Sequence, residues 1–175
     1  MNKGLVSGLV LLILGLICGL LLAVVNHFTA PKILEEENKI KFAALAEFYN
    51  LDNYDLSEVE GSGAIGVIYV LKEKGTDNIL SLVYTVSATG YSDSQDVVML
   101  IAVNNDLSVE GYKVVAHKES SGFGADIVEN DFKVTMITDL SEFDSVSDVT
   151  VTSNAIYECF NQVGLRAAVD FGGGL

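Results

Sequence analysis

The apolar and polar positions divide the chain into three stretches with different periods. Residues 5–25 are an unbroken apolar run, with Ser7 its one strongly polar side chain. At helical rise it reaches roughly 30 Å, the depth of a bilayer core. From residue 32 to 49 apolar positions return at helical spacing: Ile33, Ile40, Ala44 and Phe48, with charges between them. Between these stretches stands Pro31, the only proline. It disfavours helix at Ala30 and suits the first turn of a new one. The pattern therefore predicts a membrane helix, an exit at residues 26–31, and a second, amphipathic helix.

Beyond Gly63 the period becomes that of strands. Residues 65–72, 79–88, 96–103 and 108–117 are rich in β-branched and aromatic side chains and are separated by turn residues such as Gly75-Thr76-Asp77-Asn78 and Asn104-Asn105-Asp106. They read as consecutive, antiparallel strands. Residues 50–63 read as an acidic loop, 122–131 as a glycine-rich loop running into a short helix or turn, and 133–138 as a candidate short strand. Residues 152–167 close the pattern as a helix, with Ala155, Ile156, Cys159, Phe160, Val163 and Ala167 on one face. The expected class is α+β: a tail (1–4), a single transmembrane helix (5–25), an exit and amphipathic helix (26–50), and one domain (51–175) with an antiparallel or mixed sheet and flanking helices.

Composition changes this picture in two ways. Lys and Arg number 10 against 24 Asp and Glu, a net charge of -14, which argues against nucleic-acid binding. The mean hydropathy of +0.39 is high, and residues 5–25 account for it. A cleaved signal peptide fits them less well than an uncleaved span, because the run is long, only Lys3 precedes it, and no A-x-A site follows. Cys18 lies mid-run after Ile17, unlike a lipoprotein cysteine. The basic residues leave orientation open. Lys3 lies on one side and Lys32, Lys39 and Lys41 on the other, which by the positive-inside rule leans toward a cytoplasmic domain. The acidic domain would in turn be repelled by an anionic inner leaflet.

Several local patterns carry no chemistry. Gly61-x-Gly63-x-x-Gly66 has an acidic loop before it and a strand after it, the wrong setting for a dinucleotide site. His117 near Ser120 and Ser121 lacks a nucleophile elbow. The acidic run 52–60 lacks calcium-loop spacing. Two cysteines and two distant histidines suggest neither a disulfide framework nor a metal site. No residue is expected to be catalytic.

Three segments remain: V-N-H-F-T-A-P-K-I at 25–33, H-K-E-S-S-G-F-G at 117–124, and D-S-V-S-D-V-T-V-T-S-N-A-I at 144–156. Together they resemble the membrane-anchored FMN-binding G subunit of Rnf-type electron-transport complexes, which is homologous to the C subunit of the sodium-pumping NADH:quinone reductase. The family's loop commonly reads H-x-E-T-P-G-L-G. Here Ser120 keeps the hydroxyl, Ser121 replaces the proline and Phe123 the leucine. The family's attachment motif, D-x-x-[ST]-G-A-[TS], carries FMN through its phosphate on the last hydroxyl. Asp144 and Ser147 match it and Thr150 falls on the attachment position, while Asp148 and Val149 replace Gly and Ala.

The resemblance implies a flavoprotein subunit that carries electrons rather than a stand-alone enzyme, with covalent FMN on Thr150. Its partners would be the other membrane subunits of an ion-translocating complex, a flavin transferase for maturation, and membrane lipid, with the C-terminal domain outside the cytoplasm. Ser147, Thr152, Ser153, Glu119, Ser120, Gly122, Phe123 and Gly124 would form the flavin site. General chemistry agrees with a phosphate at Thr150. This position just precedes the expected helix start, Thr152 and Ser153 are good N-cap residues, and helix N-termini attract anions. An acidic domain needs such a local cradle, with Lys118 as a nearby cation. Gly122 and Gly124 permit close backbone approach, and Phe123 could lie against a ring. The alternative is a membrane-anchored assembly or sensory module of the same fold without flavin. A third reading is an acidic extracytoplasmic binding domain unrelated to flavin.

Overall fold

The computed structural model describes residues 3–91, 96–119, 127, 130–146 and 149–174. The chain forms two units, Met1–Ile40 and Lys41–Leu175. One helix, α1 (Lys3–Phe48), fills the described part of the first unit and supplies the opening turns of the second. The first unit exposes apolar side chains such as Leu11, Leu12, Leu16 and Leu22. It is long and apolar enough to cross a membrane, by length and composition. The expected break at Pro31 does not occur, because Pro31 lies inside α1. Its missing N–H forfeits one bond, to the His27 carbonyl. The flanking sequence outweighs that loss. Straight-chain helix formers follow, and Lys39 pairs with Glu35 at 3.0 Å and Glu36 at 2.9 Å along the helix.

The second unit is built on a five-stranded antiparallel meander: β1 (Tyr54–Glu60), β2 (Ile65–Glu73), β3 (Ile79–Ala88), β4 (Val97–Asn104) and β5 (Val109–Ala116), side by side in chain order. Helix α2 (Thr150–Val169) follows. Alternation along the strands sends side chains to two apolar layers. Tyr84, Val86, Met99, Ile101 and Val103 pack with Ile156, Cys159, Phe160, Val163 and Ala167 of α2. Tyr69, Leu71, Val83, Leu100 and Ala102 pack with Ala44 and Leu45 of α1. Cover on both faces explains why β3 and β4 read as near-continuous apolar runs.

Two expected elements differ. The acidic stretch is an edge strand rather than a loop: β1 pairs with β2 from Tyr54↔Glu73 to Glu60↔Val67. Tyr54 and Leu56 turn toward the α1-side core, Glu58 and Glu60 continue that face but are exposed, and Asp55 points to the other side. Charges on an edge strand oppose unwanted pairing, and here they hid the strand's period. Residues 133–138 form no strand. Lys133 has φ +52°, which breaks extension, and Met136 makes only isolated bridges to Ser108 and Asp139. The segment is tied to the sheet by Val109 N–H donating to the Thr135 carbonyl (2.9 Å) and Ile137 N–H to that of Leu107 (3.0 Å). Residues 61–64 are the β1–β2 connection, with Gly63 at φ +67°, and Gly66 lies within β2.

Candidate functional site

Three chain segments meet where β3 ends, where β5 ends and where α2 begins. Glu119 joins them. It lies three residues beyond β5 and is only 8% exposed. Its Oε1 accepts the Tyr91 amide at 3.1 Å, and its Oε2 accepts the Thr152 hydroxyl at 2.8 Å. The Glu119 amide donates to His117 Nδ1 at 3.3 Å, which puts the proton of a neutral imidazole on Nε2. Gly90 makes the arrangement possible, since a Cβ there would stand 2.2 Å from Glu119 Oε1. Gly90 and Tyr91 were not among the residues expected at the site. Their only sequence signal is a glycine just after a strand.

The start of α2 differs from expectation. Thr150 is the first helical residue, and the cap position falls to Val149, which supplies no side-chain bond. Thr152 and Ser153 do not cap. The Thr152 hydroxyl donates a hydrogen bond to Glu119, and Ser153 Oγ accepts one from the Val146 amide at 3.1 Å. Both side chains are buried, whereas Thr150 is exposed. Helical geometry accounts for the split. Positions 150 and 152 lie about 200° apart around the axis, so turning one inward turns the other out. The first amides of the helix have no intrahelical carbonyl to reach, and no acidic residue occupies its first turn. An exposed hydroxyl beside such amides suits a phosphate, so the residues fit an FMN ester here.

The approach to the helix is held by aromatic rings. Phe143, next to Asp144, stacks on Phe132 with centroids 5.0 Å apart and planes 6° from parallel. It also meets Tyr157 edge-on at 5.3 Å and Phe160 at 6.2 Å. The Tyr112 hydroxyl accepts the Phe132 amide at 2.7 Å, and burial raises the pKa of that hydroxyl. Cys159 is a core residue, as its place on the apolar face predicts, and burial pushes its thiol up to about 12. Ser120, Gly122, Phe123, Gly124 and Ser147 lie outside the described residues. Lys118 is exposed beside Glu119. Among the described residues, no cluster of His, Cys, Asp and Glu could hold a metal ion.

Residues 90–163 match the FMN-binding domain, and residues 2–48 match the RnfG N-terminal region. The chain belongs to the RnfG-type FMN-binding subunits. No curated protein matches it. The FMN-binding match opens at Gly90, against which Glu119 packs, and takes in Glu119, Thr150 and most of α2. The α+β fold agrees with this membership: an N-terminal apolar helix, a five-stranded antiparallel sheet and a C-terminal helix. RnfG membership makes the protein an FMN-binding subunit of an Rnf complex, and its apolar helix fits a single-pass membrane anchor.

Proposed function

We propose that the protein is a one-electron carrier within an Rnf-type ion-translocating complex and holds FMN as a phosphoester on Thr150. One observation carries the attachment site. Of the three hydroxyls at the start of α2, those of Thr152 and Ser153 are buried and bonded, while that of Thr150 is exposed beside the first-turn amides. A flavin transferase would supply FMN from a dinucleotide donor. The Thr150 Oγ–phosphorus bond forms, the hydroxyl proton leaves, and the donor's phosphoanhydride breaks to release a nucleoside monophosphate. Bound FMN takes up and gives out single electrons, chemistry that belongs to the flavin. The chain's own part is to hold the phosphate at the α2 amides and to fix the acceptor through the aromatic and Glu119 contacts. A covalent tether retains the cofactor on the outer face of the membrane, where free FMN is scarce.

The test is co-expression of the full chain with a flavin transferase. Wild-type protein is expected to stay yellow after denaturation and to carry the FMN mass on the Thr150 peptide. Thr150→Val keeps the side-chain volume, should fold, and should lose the adduct. A second reading rests on Asp148 and Val149, which replace Gly and Ala in the attachment motif. They add a negative charge and bulk beside the acceptor, and favour a flavin-free assembly or sensory module. Colourless wild-type protein after co-expression would select that reading, and colour lost on denaturation would mean bound but untethered flavin.

A further inference from the structure

We infer that Glu119 is a positioning residue for flavin attachment: by binding Thr152 and the Tyr91 amide together, it sets the first turn of α2 so that Thr150 faces outward. The inference rests on the proposed role of Thr150 as acceptor. It adds what makes that position competent and its neighbours not.

The starting point is the contrast among hydroxyls two and three residues apart on one helix turn. Residue type does not separate them, since Thr150 and Thr152 are the same amino acid. What separates them is the rotation of the helix about its axis. The buried apolar face sets the rotation of the helix body, and at the first turn, where Val149 supplies no side-chain cap, the bonds of Thr152 and Ser153 hold it. Thr152 Oγ1 reaches Glu119 Oε2 at 2.8 Å, across 33 residues of chain. The other carboxylate oxygen holds the Tyr91 amide at 3.1 Å, just beyond the end of β3. One buried carboxylate thus ties the helix start to the central strand of the sheet. Gly90 leaves it the space, since any side chain there would collide with Oε1 at 2.2 Å.

The chemistry of the group matters as well as its place. A carboxylate accepts on both oxygens, so it can take the amide and the hydroxyl at once. Glutamine has the same shape but presents an oxygen on one side and an NH₂ on the other. It can keep the Tyr91 bond or the Thr152 bond as they stand, but not both. By holding Thr152 as a donor, Glu119 keeps that hydroxyl inside. The 200° offset then turns Thr150 outward, next to the free amides that suit the phosphate. The effect of Glu119 passes through Thr152.

The test uses the full chain in detergent, with and without flavin transferase. In unmodified Glu119→Gln, amide hydrogen exchange should speed up at Tyr91 and in the second turn of α2, from Ser153 onward, while circular dichroism stays that of wild type. After co-expression, the fraction of folded chains with FMN on Thr150 should fall about tenfold or more, the scale of loss from small misplacements. Thr152→Val should reproduce that loss, Thr152→Ser should restore wild-type loading, and Glu119→Gln/Thr152→Val should be no worse than either single variant. Wild-type loading in folded Glu119→Gln overturns the inference. So does a double-variant loss equal to the product of the two single losses, because Glu119 would then act apart from Thr152. If wild-type protein carries no FMN on Thr150, the proposed function falls and the positioning role with it. The exchange measurement needs no flavin, so it separates that failure from a failure of the Glu119 contacts.

Discussion

The ring of Phe48 occupies the space beside Gly111: a Cβ at that glycine would stand 2.8 Å from both Cδ1 and Cε1. The last residue of α1 is thereby seated on β5, in the layer opposite α2. Gly111→Ala should destabilise the domain by about 1–3 kcal/mol, the usual cost of overpacking. In a Phe48→Ala background the same substitution should cost much less, because the obstructing ring is gone. Urea denaturation of the four proteins measures the difference. Equal costs in both backgrounds would mean that the ring is not the obstacle.

Half-buried Tyr49 and fully buried Tyr84 make the fold sensitive to alkali. Burial pushes the Tyr49 hydroxyl up to about 12, partly offset by its hydrogen bond with Ser81, and Glu110 raises it further. Tyr84 is also raised, first by burial and then by the carboxylate of Asp170, to which it donates at 3.1 Å. The folded state therefore keeps protons that the unfolded chain releases near its ordinary value of 10. This contribution is complete below pH 10 and fades as pH rises through the folded values. The urea midpoint should drop between about pH 10 and pH 12, the span from the free tyrosine value to the raised Tyr49 value, and Tyr49→Phe should lessen the drop. A flat midpoint over that range would contradict the shifts.

Cys159 should be inert in the native protein. The thiolate is the reactive form, and burial holds this thiol up at about 12. In a Cys18→Ser background, maleimide at neutral pH should leave the folded chain unlabelled and modify it stoichiometrically in denaturant. Full labelling without denaturant would show that the α2-side core opens more readily than its packing suggests.

How much could be read in advance varies by element, and for physical reasons. Strands β2 to β5 were legible because β-branched and aromatic runs bounded by turn residues have few other uses. Residues 79–88 are β3 as expected. Strand β1 was not, because its exposed edge is lined with acids and only Tyr54 and Leu56 keep the alternation. At Pro31 the residue type alone argues for a break, and the flanking helix formers outweigh it. At the site, the motifs placed Glu119 and Thr152 in one group, and the structure brings them to 2.8 Å. Their roles were not legible. Thr152 looks like a cap by type, but its hydroxyl donates to a partner 33 residues away, and no local pattern reports that. Gly90 was invisible for the same reason, since the side chain it makes room for comes from the far end of β5.

The side of the membrane on which the domain lies is the remaining prediction, and two charge arguments oppose each other. All 24 acidic residues and nine of the ten basic ones follow Val25. Lys32, Lys39 and Lys41 near the end of the apolar run favour a cytoplasmic domain, because acids count little in that rule. Against this, Lys39 is paired with both Glu35 and Glu36, so its charge is locally balanced. The domain as a whole is strongly negative and would be repelled by the anionic cytoplasmic leaflet. Family resemblance points the same way, and we expect the domain on the outer face. Protease added to intact spheroplasts should digest it, and mass spectrometry of the membrane-extracted chain should find residues 5–25 still attached. Protection until lysis would show that the three lysines set the orientation. A chain beginning near residue 25 would show that the apolar run is cleaved and does not anchor the mature protein.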